Sequence, residues 1–384
     1  MTVQTGLERL LREGLGQLDG KRIALVTNHT SIDSTLRHAI DLLAADPRFR
    51  LAALFGPEHG VRGSDQAGVH IPDAVDARTG VPVHSLYGEH RKPTRAMLAE
   101  LDALLFDIQD VGVRFATYVS TLWLVQEAAA EAGLPILVLD RPNPLGGLQV
   151  EGNLVEAGSA SFVGIHPIPI RHGLTFGELA RLFACDNGWP EPVVVPMVSW
   201  QRTMWFDQTG LPWVLPSPNL PTLDSLTVYP GTCLIEGTNV SEGRGTTRPF
   251  ELLGAPWVDP YRLAAQMAAR ALPGVAFRPT WFTPTFSKHH GTVCGGVQVH
   301  VLDRHAIRPV ELGIHLLHAL MTDCPDHFAW RQSDTGTYFI DRLLGSSQPR
   351  QMLDAGCDAP TVYAGWPATA RAFQERAATV LLYG

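Results

Sequence analysis

The sequence predicts an α/β protein whose N-terminal part is a mostly parallel sheet with helices on both faces. Short apolar runs alternate with helix-like segments through the first 150 residues, and turn residues follow each run. Strands that alternate with helices need crossover connections, which are right-handed and pair the strands in parallel. The chain has 384 residues, of which 45% are hydrophobic and 18% charged, so it can form a large core and about two domains.

Five strands and the helices between them are predicted in this first part. The run 22–27 is apolar without alternation, which is typical of a strand buried on both faces. The run 81–86 contains Pro82, which favours an edge position. In chain order, we predict strands at 22–27, 51–55, 81–86, 103–108 and 135–139, and helices within 1–18 and at 36–44, 95–101 and 118–132.

The composition changes near residue 150, where we predict a domain boundary. Residues 150–260 are rich in proline and glycine and have few clear helices, one of them at 175–185 with Thr175 and Glu178 placed to cap it. Helix-like segments return at 260–271, 309–322 and 367–378, with a strand at 296–302. We therefore predict an N-terminal domain of residues 1–150 and a C-terminal α/β domain of residues 151–384.

Charge and cysteine content exclude several classes of function. The 30 basic residues are fewer than the 38 acidic ones, and the net charge of −8 argues against nucleic-acid binding. The five cysteines form no CxxC pair, which argues against a disulfide scaffold or a cysteine zinc site. No apolar run approaches the ~18 residues of a membrane span, and no signal peptide is visible, so we expect the chain as written to be cytoplasmic.

The motifs of several common α/β enzymes are missing. The sequence lacks GxGxxG after its first strand, GxxxxGK[ST] and GxSxG, which argues against a dinucleotide enzyme, a P-loop NTPase and an α/β-hydrolase. His289, His290 and His300 are potential metal ligands, but no HExxH motif accompanies them. We expect neither a cofactor nor a metal.

Polar residues follow three of the predicted strands at the point where each strand ends. In parallel sheets the ligand crevice lies beyond the carboxyl ends of the strands, so these residues predict a site at that edge. They are Glu58 and His59 after the second strand, Asp107, Gln109 and Asp110 after the fourth, and Arg141 and Asn143 after the fifth.

Glu58 is the first candidate for a catalytic group. It lies in a turn bounded by glycines, which let the backbone approach a ligand closely, and its carboxyl could act as a general acid. Alternatively, Glu58 caps the next helix or pairs with Arg62. Asp107 and Asp110 have the same two interpretations, because each could orient a ligand group or cap the following helix.

The segment 232–245, TCLIEGTNVSEGRG, has the densest set of polar residues in the chain. Carboxylates, an amide and a guanidinium on a glycine-rich loop suit hydrogen bonding to a polyhydroxylated or carboxylated ligand. Alternatively, the segment is a solvated loop with an internal Glu–Arg pair. Arg171 and His172, in a loop with prolines, could bind an anionic group or tie the loop. The candidates in the segment are Glu236, Asn239, Ser241, Glu242 and Arg244.

Eight segments carry a resemblance that covers nearly the whole chain. They are LVTNHTS (25–31), FGPEHGVRG (55–63), GVPVHSLYGEHRKPT (80–94), DIQDVGVRFATY (107–118), VLDRPNPLGG (138–147), PIPIRHGLTFGELA (167–180), SPNLPTLDSLTVYPGTCLIEGTNVSEGRGTTRPFELLGAPW (217–257) and FIDRLLGS (339–346). Together they resemble the NamZ-like exo-β-N-acetylmuramidases, bacterial peptidoglycan hexosaminidases formerly described as a domain of unknown function.

The resemblance implies that the chain removes a terminal, non-reducing β-linked N-acetylmuramic acid (MurNAc) from peptidoglycan fragments in cell-wall recycling. It implies a Rossmann-like domain joined to a second α/β domain, with the active-site cleft between them. Many relatives look exported. The expected partner is a small carbohydrate, a MurNAc-containing muropeptide or disaccharide.

The resemblance also suggests roles for individual residues. Glu58 would protonate the departing glycosidic oxygen, and a second carboxylate would act as nucleophile or activate water. The candidates for this second group are Glu242, Glu236 and Asp110, in that order. A third route is assistance by the 2-acetamido group, with Asp110 holding its N–H.

The candidate substrate-binding residues include arginines for the lactyl carboxylate of MurNAc, which Arg141, Arg171 and Arg244 could bind. Two other classes of function stay open: a non-catalytic muropeptide or sugar-acid binding protein, and a metal-dependent amidase acting on the same fragments. The full substrate-binding set is His59, Asp107, Gln109, Arg141, Asn143, Arg171, His172, Asn219, Asn239, Ser241 and Arg244.

Overall fold

The computed structural model describes residues 2–63 and 68–384, which form a seven-stranded sheet, a three-stranded sheet and the helices around them. The strands are β1 (Arg22–Thr27), β2 (Arg50–Gly56), β3 (Ala74–Val75), β4 (Pro82–Ser85), β5 (Ala103–Asp107), β6 (Ile136–Leu139), β7 (Val193–Val195), β8 (Leu252–Ala255), β9 (Val275–Phe282) and β10 (Cys294–Val301).

Twelve α-helices and four short 3₁₀ helices lie in the described part of the chain. The α-helices are α1 (Gly6–Glu13), α2 (Ala39–Ala45), α3 (Arg95–Leu98), α4 (Thr117–Ala132), α5 (Phe176–Asn187), α6 (Leu223–Thr232), α7 (Pro260–Ala269), α8 (Pro309–Asp323), α9 (Phe339–Leu344), α10 (Gln348–Asp354), α11 (Ala359–Tyr363) and α12 (Trp366–Ala377). The 3₁₀ helices are Gly16–Leu18, Phe206–Gln208, Cys233–Gly237 and Ala378–Val380. Among the described helices, none is long and apolar enough to cross a membrane.

The large sheet has the strand order β3-β4-β2-β1-β5-β6-β7. Every neighbouring pair is parallel except β3 with β4. Without β3, the parallel strands lie in the order β4-β2-β1-β5-β6-β7. The chain first adds strands on one side of β1 and then crosses over to add β5, β6 and β7 on the other side. This is a doubly wound arrangement whose strand order reverses between β1 and β5. The predicted mostly parallel sheet is confirmed.

Helices cover both faces of this sheet, as predicted. Ala24 and Val26 of β1 pack in a core with α4 and α5, whereas Ile23 and Leu25 pack in a second core with α1 and α2. Both alternating sets of side chains are therefore buried, which explains the unbroken apolar run of this strand. The burial on both faces leaves the ends of the strands as the part of the sheet open to a ligand.

The sheet continues past residue 150. Strand β7 pairs with β6 at the far edge, and α5 packs on one face of the sheet. The change in composition near 150 reflects long connections rich in proline and glycine, and the backbone returns to the sheet after them. The division into residues 1–150 and 151–384 stays a prediction about folding units.

The smaller sheet is antiparallel, with the order β8-β10-β9. It shares a core with α6, α7 and α8. Helix α6 was not predicted, because Pro230 and Gly231 lie inside it and argue against a helix. Thr222 caps its first turn by accepting a hydrogen bond from the Ser225 amide.

Helices α6 and α8 touch through two glycines. A Cβ added to Gly231 would lie 1.7 Å from the carbonyl oxygen of Pro309, and one added to Gly313 would lie 2.4 Å from the carbonyl oxygen of Gly231. No side chain fits at either position without moving a backbone. Because the 3₁₀ helix 233–237 follows α6 directly, this contact sets the position of Glu236.

We predict that Gly231→Ala lowers the free energy of unfolding by about 3 kcal/mol, because overpacking a rigid contact costs this much. Urea denaturation measures the loss. Gly16→Ala is the matched control, since a Cβ there meets nothing within 4 Å and stability should be unchanged. Equal stability of the two variants would contradict this packing of α6 on α8.

Candidate active site

A cavity of about 1140 Å³ is lined by residues from both parts of the chain. The turn after β2, the loop after β4 and the start of α4 form one wall. The 3₁₀ helix 233–237, the segment that follows it and the loop between β9 and β10 form another. The structure thus brings Glu58, Glu236 and Glu242 to one cavity, which is large enough for a disaccharide.

A tight turn positions Glu58 after β2. His59 and Gly60 both have a φ of 72°, and the Gly60 amide donates a hydrogen bond to the Pro57 carbonyl at 3.0 Å. Two successive left-handed residues reverse the chain immediately after Glu58, and glycine supplies the second at no steric cost. His59 is itself buried and lies at a smaller cavity of about 70 Å³ that Glu58 also borders.

Three groups hydrogen-bond the Glu58 carboxyl. Thr117 Oγ1, at the start of α4, donates to Oε2 at 2.7 Å, and the Gly68 amide donates to Oε1 at 2.9 Å. Tyr87 is the third partner, and its burial together with the charge of Glu58 raises the pKa of its phenol. The alternative that Glu58 pairs with Arg62 is wrong, because the Arg62 guanidinium contacts Asp41 and Asp76.

Arg244 lies between the two other carboxylates of the cavity. Its Nε and Nη2 donate to Glu236 Oε1 at 3.1 and 2.5 Å, and Nε is 3.2 Å from Glu242 Oε1. Burial lowers the pKa of Arg244, but the charges of Glu236 and Glu242 outweigh it and raise the pKa overall. The internal Glu–Arg pair, one of the two alternatives for this segment, is therefore present.

Lys288, in the loop between β9 and β10, completes the charged group. Its Nζ is 2.9 Å from Glu242 Oε2 and donates to the carbonyls of Ile235 and Val240 at 3.0 and 2.7 Å. Two carboxylates face two cations, so this group is neutral as a whole. Arg244 was expected to bind a substrate carboxylate, but its charge is already compensated within the wall.

The other candidates between residues 219 and 241 differ in whether their side chains are free to bind a ligand. Asn219 lies on the cavity wall, and its buried Nδ2 has no hydrogen-bond partner among the described residues. Asn239 also lines the cavity, but its amide bonds the His327 carbonyl and the Ala329 amide. Ser241 is buried away from the wall and accepts a hydrogen bond from the Gly243 amide.

Residues at the ends of β5 and β6 face the interior rather than the cavity. Arg141 makes a bidentate ion pair with Asp107 at 2.5 and 2.9 Å, and both side chains are buried. Gln109 donates to the carbonyls of Asp110 and Pro142. The space beside Gln109 and Arg141 measures only about 10 Å³, and Phe206, Leu211, Pro212 and Val214 line its other side. The expectation that Arg141, Asp107 and Gln109 contact substrate is therefore not supported, because no ligand fits there.

A second buried network contains Asp110, Asn143, Arg171 and His172. Asp110 Oδ1 accepts a hydrogen bond from the Val111 amide, and its Oδ2 is 3.4 Å from His172 Nε2. Arg171 donates to Glu151 at 2.9 Å and to the Leu145 carbonyl at 2.7 Å. Asn143 bonds the backbone of Leu145 and Leu174. These four side chains tie loops together and do not line the cavity.

A histidine and a cysteine also line this cavity. No group of three or more metal-ligating side chains is placed to hold an ion in residues 2–63 and 68–384. His289 lies on the cavity wall with Nε2 2.7 Å from the Asn239 carbonyl oxygen. Burial raises the pKa of the Cys233 thiol, also on the wall, well above its usual value, so this thiol stays protonated and is a poor nucleophile.

Several cavity residues were not among the sequence candidates. Tyr87, Thr117, Lys288 and Arg331 all line it. Tyr87 and Thr117 lie within segments that carry the family resemblance, which is the signal that could have identified them. Lys288 and Arg331 lie outside those segments, and their position depends on loops of the second part.

The chain matches two family models that adjoin each other. Residues 23–224 match the N-terminal part of the exo-beta-N-acetylmuramidase NamZ, and residues 227–383 match its C-terminal part. The peptidoglycan beta-N-acetylmuramidase NamZ of Bacillus subtilis strain 168 is 47% identical over 382 residues, covering 99% of this chain and 91% of that protein.

Two crystal structures of DUF1343 family proteins from Bacteroides fragilis NCTC 9343 are also similar. One has a TM-score of 0.91 at 38% identity, and the other has a TM-score of 0.78 at 32% identity. Each comparison covers 100% of this chain and 99% of the other.

We predict that Arg141→Gln lowers the free energy of unfolding by about 3–5 kcal/mol, because it leaves the Asp107 carboxylate buried without its partner. Arg22→Gln is the control, since its ion pair with Glu100 is exposed and should contribute less than about 1 kcal/mol. Urea denaturation compares the two. If the Arg141→Gln variant were as stable as the wild type but bound substrate more weakly, Arg141 would be a substrate-binding residue after all.

Proposed function

The chain belongs to the NamZ exo-β-N-acetylmuramidase family of glycoside hydrolases, and on this premise we propose that it releases the terminal, non-reducing MurNAc from peptidoglycan fragments. The reaction takes place in the 1140 Å³ cavity, between a Rossmann-like N-terminal part and the C-terminal part. One observation carries this proposal. Glu58 borders the same cavity as two further carboxylates and makes no ion pair with a described residue.

Glu58 is the general acid that protonates the departing glycosidic oxygen. A cation beside a carboxylate favours its charged form, and Glu236 and Glu242 each face at least one cation. Glu58 faces hydroxyl and amide groups instead, so of the three it is the carboxyl that no cation holds. The contacts from Thr117 and Gly68 fix its orientation toward the bond that breaks.

Glu236 is the second carboxylate. Its side chain is 15% exposed, whereas that of Glu242 is 3% exposed, so Glu236 reaches a ligand more easily. Its ion pair with Arg244 orients the carboxyl group that would act as a nucleophile or a water-activating base. This order differs from the one suggested by sequence, because Glu242 is enclosed by Arg244 and Lys288 and Asp110 is buried outside the cavity.

Asn219 provides a hydrogen-bond donor for the sugar. Its Nδ2 is buried on the wall without a partner among the described residues, and buried polar groups are nearly always satisfied. A sugar hydroxyl or an acetamido oxygen supplies the missing acceptor.

We predict that Glu58→Gln lowers kcat on a MurNAc–GlcNAc disaccharide by about 10²–10⁴-fold, because the departing sugar oxygen needs a proton and the side-chain amide is too weak an acid to give one. Glu89→Gln is the matched control: Glu89 is exposed, lies close in the fold to Tyr87 and does not line the cavity. Its kcat should equal that of the wild type. If Glu58→Gln turned over at nearly the wild-type rate, Glu58 would not be the general acid.

Incubation of the wild type with a MurNAc–GlcNAc disaccharide should release free MurNAc, detected by mass spectrometry. The rate should be the same with EDTA, because the residues proposed for the reaction act without a metal. A disaccharide that binds tightly but stays intact would indicate a binding protein. Loss of activity in EDTA that added divalent metal restores would indicate a metal-dependent enzyme.

A further inference from the structure

The cations of the cavity wall are not equivalent. Arg244, Lys288 and Arg331 are the lysine and arginine side chains that line the described part of it. Arg244 and Lys288 are compensated by Glu236 and Glu242. Arg331 makes neither an ion pair nor a side-chain hydrogen bond with any residue in the described ranges. Arg331 is therefore the cation of the described wall that no carboxylate compensates.

The backbone of Arg331 is firmly held. Its amide donates to the Gly237 carbonyl at 2.8 Å, and its carbonyl accepts from the Phe339 amide at 3.0 Å. Antiparallel bridges on either side, Thr238 with Trp330 and Gln332 with Tyr338, fix the same segment. Arg331 therefore lies against the end of the 3₁₀ helix that carries Glu236.

The Arg331 side chain is also oriented before any ligand binds. Its guanidinium lies over the ring of Phe339, 5.1 Å from the centroid, and Phe339 lines the cavity as well. Such a contact engages the face of the guanidinium and leaves its N–H edge free. That edge matches the two oxygens of a carboxylate.

We propose, building on the proposed function, that Arg331 binds the lactyl carboxylate of MurNAc and so determines the specificity of the site. MurNAc differs from N-acetylglucosamine by a lactyl ether on O3, which adds one carboxylate. This carboxylate neutralises the charge that the wall leaves uncompensated. Arg141, Arg171 and Arg244 cannot fill this role, because Asp107, Glu151 and the Glu236–Glu242 pair already hold them.

The test compares Arg331→Gln with the wild type on two chromogenic β-muramides, one with a free lactyl carboxylate and one with its methyl ester. We expect kcat/KM for the free acid to fall about 10-fold or more in the variant, chiefly through KM, since a charged hydrogen bond is lost. The ester should be cleaved at nearly equal rates by both proteins, and Arg331→Lys should recover part of the loss. If Arg331 had a merely structural role, kcat/KM would fall equally for both substrates, and that result would overturn the proposal.

Calorimetry with free MurNAc tests the same contact without turnover. The Kd should rise about 10-fold or more in Arg331→Gln, while binding of N-acetylglucosamine should be unchanged. Arg342→Gln is the matched control, because Arg342 is an exposed arginine of α9 that does not line the cavity. An unchanged Kd for MurNAc would overturn the role of Arg331. A wild type that cleaves neither muramide would instead count against the proposed function. Calorimetry would then still show whether Arg331 binds MurNAc.

Discussion

The ion pairs of Arg244 with Glu236 and Glu242 are the interaction on which the cavity depends. Buried charges are stable only when they are paired, so two carboxylates can border a half-enclosed space because Arg244 and Lys288 face them. Lys288 also bonds two carbonyls of the segment 232–245, which ties the β9–β10 loop to it. One charged group thus supplies both the electrostatics and the shape of this wall.

The N-terminal sheet contributes differently. The general rule places ligands at the carboxyl ends of parallel strands, where the order of strands reverses. In this protein only a space of about 10 Å³ remains there, bordered by Phe206, Leu211, Pro212 and Val214, and the nearby polar residues form internal contacts such as the Asp107–Arg141 pair. The cavity instead adjoins the turn after β2, where left-handed His59 and Gly60 bring Glu58 to its wall.

Local patterns predicted much of the fold, and long-range contacts decided the rest. Strand β1 occupies the predicted residues 22–27, and Thr175 and Glu178 cap α5 as expected. The smaller sheet was incompletely predicted, because β8 is short and β9 contains Pro279. For the site, the sequence indicated which polar and charged residues follow the strands, but not which residues they contact. Arg141 meets Asp107 across 34 residues of sequence, a contact that no local pattern indicates.

The proposed reaction requires Glu58 to meet the scissile bond inside the shared cavity. The most direct measurement is a crystal structure of Glu58→Gln with an intact MurNAc–GlcNAc disaccharide. We expect the glycosidic oxygen within about 2.6–3.2 Å of the Gln side chain, the distance that proton transfer from the native carboxyl needs. A disaccharide bound outside the cavity, or with that oxygen closer to another acidic residue, would contradict it.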